Sequence, residues 1–287
     1  MSNIKSKLKY FLRSVQKRAS KFTTICPSCG SLVRSLVDSK FVVTQLVECD
    51  ECHLLYRIPG DSPIESDQFY QYEYEQGPTT KLPSEKELQS LIASNFSALP
   101  NSYRPYLGIF EALQLKKGTR VLDYGCSWGY GSYQLRKAGM EVEGFELSRA
   151  RARYAVEKLK LEVRSDLDDL SNDFDVFFSS HVLEHVANLD QTFSLARRLT
   201  KAGGIFLSLT PNGSPDFRRA NPDAFHRLWG LAHPNLLQAR FVQKAFHDKP
   251  LFLGSNPYPL EGIALWDRSR SVHTDLSGWE MVIIAIL

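Results

Sequence analysis

From Thr119 to Asn212 the chain alternates short apolar runs with amphipathic stretches, and that alternation leaves it few ways to fold. TRVLDYG reads as a strand running into glycines, and SYQLRKAG follows as a helix ending at Gly139. MEVEGFEL is a second strand and RARARYAVEKLKL a second helix. LEVRSDLDD, FDVFFSS and GGIFLSLTPN supply three more strands, with the helix LDQTFSLARRLTKAGG before the last. Strands this apolar need cover on both faces, so the pattern predicts an α/β, doubly wound parallel sheet between two helical layers. Ligands of such a sheet sit beyond the C-terminal ends of its strands. WEMVIIAIL has no helix after it and is expected to pair antiparallel with a strand near PLFLGSNP.

The first strand leads into D-Y-G-C-S-W-G-Y-G, which contains Asp123, Gly125, Ser127, Gly129 and Gly131. A dinucleotide fingerprint needs G-x-G-x-x-G, and Ser127 stands at its second glycine, so the loop alone is a weak signal. The ordered set is more specific. VLDYGCSWG, FELS, FDVFFSSHVLEHV and LTKAGGIFLSLTPN together resemble the motifs of class I S-adenosylmethionine-dependent methyltransferases, which have a Rossmann-like sheet. The resemblance is close from about Arg120 to Asn212 and loose after it.

That resemblance implies S-adenosylmethionine as cofactor and assigns its site. The turn Gly125, Ser127, Gly129 would bring backbone N–H groups to the methionine portion, with Asp123 organising it and reaching the amino group. Glu146 would accept hydrogen bonds from the ribose hydroxyls, and Asp166 would either meet the adenine amino group or merely cap the next turn. Leu167 and Ser180 complete the implied cofactor pocket. Ser127 departs from the family's usual glycine. Cys126 reads as a small loop residue, since no base accompanies it.

HVLEH, His181 to His185, has the H-x-x-E-H spelling of a zinc peptidase helix. No downstream signature offers a convincing third ligand, so the peptidase is the weaker reading. Leaving FDVFFSS at the mouth of the cleft, the motif suits an acceptor site instead. His185 is the first candidate for a general base or acceptor contact, with Glu184 supporting it and His181 second. A helix beginning near His181 would put both histidines on one face. Simple packing of the segment is the competing reading. His226, Trp229 and His233 follow the fifth strand and are candidate substrate contacts, of a kind suited to stacking on a sugar ring.

Five cysteines occur, four of them as CPSC (Cys26, Cys29) and CDEC (Cys49, Cys52), separated by nineteen residues. That spacing predicts a closed, structural four-thiolate Zn²⁺ site. The Val- and Leu-rich segment between the pairs would form the hairpins of a zinc ribbon too small to bury much core without the metal. The ribbon followed by a tyrosine-rich connector resembles a bacterial methyltransferase subgroup, some of whose members methylate sugars or other small metabolites in glycan and natural-product pathways.

From Met1 to Val37 there are eight Lys or Arg and no Asp or Glu. Within this stretch Leu8, Phe11, Leu12 and Val15 share one face of a basic amphipathic helix, which a peripheral membrane contact would use. No apolar run is long enough to span a bilayer and no signal peptide is evident, so a cytoplasmic protein is expected. The expected organisation is a basic helix over 1–24, a zinc ribbon over 25–60, a connector with a capping helix from Ser84 to Leu99 over 61–102, and the methyltransferase domain over 103–287.

The leading reading is methyl transfer to a small molecule, with a sugar or glycan intermediate foremost. Two readings compete: an RNA methyltransferase gripping phosphates through the ribbon and basic N-terminus, and a non-catalytic scaffold. The basic residues between the cysteine pairs are only Arg34 and Lys40, which makes nucleic acid the weaker partner. An intact Asp123, Glu146 and glycine turn argue against the scaffold.

Overall fold

The computed structural model describes residues 2–20, 24–69 and 79–287. It opens with helix α1 (Ser2–Ala19) and an antiparallel sheet of β1 (Arg34–Lys40), β2 (Thr44–Cys49) and β3 (Leu55–Ile58). Two tight cysteine turns flank this sheet. In one, Gly30 N–H donates to Cys26 O, and in the other His53 N–H donates to Cys49 O.

Helix α1 docks on the ribbon by its polar side. Arg13 and Lys17 reach Asp61 and Glu65 at 3.0 and 2.6 Å, and the Arg57 guanidinium lies over the Tyr10 ring. Its apolar face, Leu8, Phe11, Leu12 and Val15, is left facing outward, with the Phe11 ring 6.4 Å from Phe41. Among the described residues no helix is long and apolar enough to cross a membrane.

The connector continues as α2 (Pro63–Gln68), α3 (Glu85–Ala93) and α4 (Arg104–Ala112). Most of the tyrosine-rich stretch, 70–78, lies outside the described residues. A reciprocal capping box between Ser84 and Glu87 starts α3 as its sequence suggests. The helix stops at Ala93, short of Leu99, because Asn95 and Phe96 take positive φ and turn the chain.

The alternating part forms β4 (Arg120–Tyr124), α5 (Tyr130–Lys137), β5 (Glu141–Phe145) and α6 (Arg149–Leu159). It continues with β6 (Glu162–Arg164), β7 (Phe174–Ser180), α7 (Leu189–Leu199) and β8 (Thr200–Pro211). After it come α8 (Pro215–Ala220), α9 (Pro222–Leu228), β9 (Asn235–Leu236) and α10 (Ala239–Ala245). The chain ends with β10 (Leu251–Ser255), α11 (Leu260–Leu265), β11 (Val272–His273) and β12 (Glu280–Ile286).

The large sheet has the order β11-β10-β12-β8-β7-β4-β5-β6, with β4 to β8 parallel. The expected antiparallel pair forms between β12 and β10, and β12 also runs antiparallel to β8, so the sheet is mixed. Side chains alternate across it. Val121, Phe178 and Val282 enter one hydrophobic layer while their neighbours Leu122, Phe177 and Ile283 enter the other. From β4 the chain winds outward through β5 and β6, then crosses back to β7 on the far side of β4. That reversal opens a crevice at the C-terminal ends of β4 and β7.

The ribbon is built into the main domain. β9 adds to its sheet as a fourth strand, pairing Leu236 with Leu55 and Asn235 with Tyr56. Leu46, Leu55, Phe217, Phe225, Trp229 and Leu236 close a hydrophobic cluster across the seam.

Candidate active site

A cavity of about 630 Å³ occupies the crevice, with Gly125, Ser127, Glu146, Leu167 and Ser180 on its walls. Gly125 has φ +82°, and a Cβ there would meet Val182 Cγ2 at 2.4 Å, so the turn requires glycine. Gly129, at φ +86°, starts α5, and a Cβ on it would meet Leu161 Cδ1 at 2.6 Å. Ser127 itself takes φ +52°, and its hydroxyl donates to the carbonyl of Thr79, pinning the end of the connector over the cavity.

Glu146 stands just past β5. Its Oε2 accepts the Ser127 N–H at 3.0 Å, while Oε1 accepts the Ser148 N–H at 2.8 Å and pairs with Arg151 at 2.9 Å. One carboxylate thus ties the glycine turn to the start of α6. Asp123 lies one layer behind the cavity wall, fully buried, and accepts hydrogen bonds from Ser132 Oγ at 2.6 Å and Tyr103 OH at 3.3 Å. Burial pushes its carboxyl up to about 7, the two hydroxyls offsetting only part of that. Asp166 does not reach the cavity; its Oδ1 accepts the Asp168 N–H and caps a short 3₁₀ turn, which sets Leu167 on the wall.

HVLEH does not begin an α-helix. His181 takes φ +54° as the chain leaves β7, and only Leu183–His185 forms a 3₁₀ turn. The two histidines therefore do not share a helix face. His181 Nε2 meets Glu280, and its ring stacks on Trp279 at 5.7 Å. Burial would lower the His181 pKa, but Glu184 and Glu280 outweigh it and push it up to about 10, so the ring is a cation and not a proton acceptor. Glu184 is fully buried, and its Oε2 accepts from Thr210 Oγ1 at 3.1 Å. Its Oε1 lies 3.3 Å from His181 Nδ1, yet no hydrogen bond of acceptable alignment reaches it among the described residues. Burial raises the Glu184 carboxyl, but the neighbouring histidines overcome this and hold it at about 2.

His185 is oriented by its backbone surroundings. Nδ1–H donates to Ala232 O at 2.6 Å, and burial lowers the imidazole to about 4, leaving a neutral ring. His233 is held the same way, Nδ1–H donating to Leu228 O at 2.6 Å, and its ring centroid is 4.9 Å from that of His185. Both rings line the cavity.

His226 and Trp229 lie elsewhere. Both donate to Asp38 of β1 at 2.8 Å, and Lys40 sits over the indole. They fasten α9 to the ribbon, because a buried indole N–H and an adjacent imidazole found an acid across the seam rather than the cavity.

The four cysteine Sγ atoms of Cys26, Cys29, Cys49 and Cys52 lie within 4.8 Å of one another. The donor set and its closeness fit one tetrahedral ion. This cluster bears on the cavity through β3. Arg57 of β3 donates widely: its N–H reaches Pro234 O and its Nη1 reaches Gly230 O, both at 2.8 Å. Asn235 Nδ2 then donates to Val186 O. The ribbon thus sets the loop that carries Ala232 and His233 against His185.

Glu280, Tyr103, Arg57 and Trp279 escaped sequence reading. Glu280 left a trace, a lone acid inside the apolar run WEMVIIAIL; it receives Tyr106 OH and Tyr258 OH as well as His181. Tyr103 and Arg57 carry no local pattern that marks them.

Residues 98–249, more than half of the chain, match the family model described as a methyltransferase domain. The chain belongs to that methyltransferase domain family. Among curated methyltransferase relatives, a ubiquinone biosynthesis O-methyltransferase of Mesorhizobium japonicum is 27% identical over 171 residues, 53% of this chain and 65% of that protein. A cyclopropane-fatty-acyl-phospholipid synthase of Escherichia coli (strain K12) is 39% identical over 106 residues, 34% of this chain and 28% of that protein. The aligned stretches therefore span less than two thirds of either relative. In fold, the chain resembles a geranyl diphosphate C-methyltransferase from Streptomyces coelicolor A3(2), with a TM-score of 0.51 and 18% identity over 79% of this chain and 99% of that one.

Proposed function

We propose that this methyltransferase-family chain moves a methyl group from S-adenosylmethionine to a small-molecule acceptor, with a sugar or glycan intermediate as the first acceptor class. The observation that carries the reading is Glu146, a carboxylate on the cavity wall that also braces the glycine turn through Ser127 N–H. A ribose offers two hydroxyl donors to such an acid, and Gly125 lets the backbone come close to the ligand. Leu167, Leu147 and Phe145 supply an apolar slot on the same side for a purine ring. When bound, the sulfonium supplies a methyl group that is already activated. The chain's own task is then to align the acceptor and exclude water. Val182, His185, Val186, His233 and Trp279 form the facing wall, where imidazoles and an indole suit a hydroxylated ring. Four cysteines in one cluster support a structural Zn²⁺ in the ribbon.

Incubation with methyl-labelled cofactor and separate pools of nucleotide sugars, glycan lipids, phenolic metabolites and RNA tests the reading. Label is expected in a small-molecule pool, foremost the sugars. Label confined to RNA would contradict it, as would label in none.

We also propose that α1 and the β1–β2 turn rest on an anionic membrane surface. The outward apolar face of α1 continues into Phe41 and Val42, and the first 37 residues supply only basic charge. Pelleting with vesicles is expected to rise several-fold when phosphatidylglycerol replaces phosphatidylcholine, and to fall for Phe41→Ser. Equal pelleting on both lipids would remove the idea.

A further inference from the structure

We propose that a second cavity, between the ribbon and the main domain, is an acceptor subsite that takes an uncharged sugar ring joined to the ring that is methylated. The acceptor is then an oligosaccharide rather than a free sugar or a nucleotide sugar. The inference rests on the proposed function, since it extends the sugar reading of the first cavity to a longer molecule.

This cavity has a volume of about 440 Å³, a size that small molecules occupy. The CPSC turn and the end of β3 wall one side of it, and the segments 185–188 and 231–235 wall the other. His185, Val186 and Ala187 line both cavities, so the two adjoin along one strip of chain. That strip is held in place. Val186 O accepts from Asn235 Nδ2 at 2.8 Å, and His185 Nδ1–H donates to Ala232 O. Ala187 is exposed and carries only a methyl side chain, so a linked pair of rings can cross the strip there.

The polar groups on the wall select the ligand. Arg57 and Asp61 are its charged side chains among the described residues, and they pair with each other. Arg57 also donates to Gly230 O, and Asp61 also receives Arg13 at 3.0 Å. A phosphate would have to compete with Asp61 for the arginine and break a largely buried ion pair, which is costly. The neutral groups are differently placed. Asn235 is 2% exposed, and its Nδ2 donates to Val186 O. A carbonyl only accepts, so the orientation of this amide is fixed, and its Oδ1 has no partner among the described residues. A ligand hydroxyl would supply the missing donor. Asn188 is the complement. Its Oδ1 caps α7 through the Gln191 N–H at 3.0 Å, and its amide N–H₂ has no partner among the described residues. The Ser28 hydroxyl, between the cysteines of the CPSC turn, is likewise without one among them. Amide oxygen, amide N–H₂ and hydroxyl are joined on the wall by Pro27, Leu231 and Pro234. That combination suits a neutral ring with hydroxyls on its rim and C–H groups on its face.

The test is labelled methyl transfer by the full chain onto a panel of monosaccharides, their α- and β-linked di- and trisaccharides, and nucleotide sugars. At least one oligosaccharide is expected to be methylated about tenfold faster than its own monosaccharide units and their nucleotide sugars, because contacts to a remote ring act at the reacting centre. Ser28→Tyr fills the second cavity, and Asn188→Asp keeps the cap of α7 while removing the amide donor. Each should reduce the oligosaccharide advantage roughly fivefold. S-adenosylhomocysteine affinity, measured by calorimetry on the same preparations, should stay within about twofold, which also shows that the variants are folded. Monosaccharides or nucleotide sugars methylated as fast as any oligosaccharide would overturn the subsite and leave the sugar reading standing. An undiminished advantage in both variants would do the same. Label in no sugar, from protein that binds S-adenosylhomocysteine, would remove the subsite and the sugar reading together.

Discussion

Asp123 is a carboxylate enclosed by Ser132, Tyr103 and the sheet, and burial holds its proton on up to about pH 7. Its unfolded value is near 3.8. Below that pH both states are protonated, and the group is neutral toward stability. Between about 4 and about 7 the unfolded chain releases the proton and the folded chain keeps it, so this residue lowers stability as pH rises. Above about 7 the penalty is constant. Asp123→Asn lacks this titration and can still accept a hydrogen bond from Ser132. The difference in Tm, variant minus wild type, should therefore climb from pH 4.5 to pH 7.5 in ligand-free protein. A flat difference would mean that Asp123 is ionised throughout. The sequence marks the acid, through its place at the end of VLD, but not its protonation. That depends on Tyr103, twenty residues earlier in the chain and brought over the acid by α4.

At the scale of elements, β3 links the cysteine cluster to the cavity. It pairs with β9, and Arg57 holds the carbonyls of Gly230 and Pro234. The Zn²⁺ proposed for the four cysteines should therefore influence acceptor binding although it would touch no reactant. On that proposal, Cys49→Ser is expected to weaken Zn²⁺ binding and loosen β2 and β3, since a sheet this small would depend on its ion. Turnover assays should show acceptor KM rising at least fivefold, while S-adenosylhomocysteine Kd stays within twofold because Gly125 and Glu146 directly follow β4 and β5 of the large sheet. Equal losses on both sides would show that the ribbon supports the whole fold and has no special hold on the acceptor wall. The paired cysteines were legible because their spacing is itself the chemistry. β9 was not, since a strand of two residues, Asn235–Leu236, has no period to detect. Its absence from the pattern is why His226 and Trp229 resembled substrate contacts and turn out to grip Asp38.

For the whole molecule, the sheet was readable because each central strand is a continuous apolar run and each intervening helix is amphipathic, so local and global preferences agree. The reversal between β4 and β7 then places Glu146, Gly125 and His185 around a single cavity. Segments without periodicity carried the surprises. His181 turns left-handed where the expected helix would have begun, and Glu280 arrives from the last strand to hold it. The central claim is that the crevice binds the methyl donor through Glu146. Calorimetry with S-adenosylhomocysteine measures it most directly. Saturable binding at one site per chain is predicted. Glu146→Gln should weaken it between tenfold and a hundredfold, about 1.5–3 kcal/mol for losing hydrogen bonds to a charged group. No binding to the wild-type chain, or equal affinity in the variant, would contradict the account.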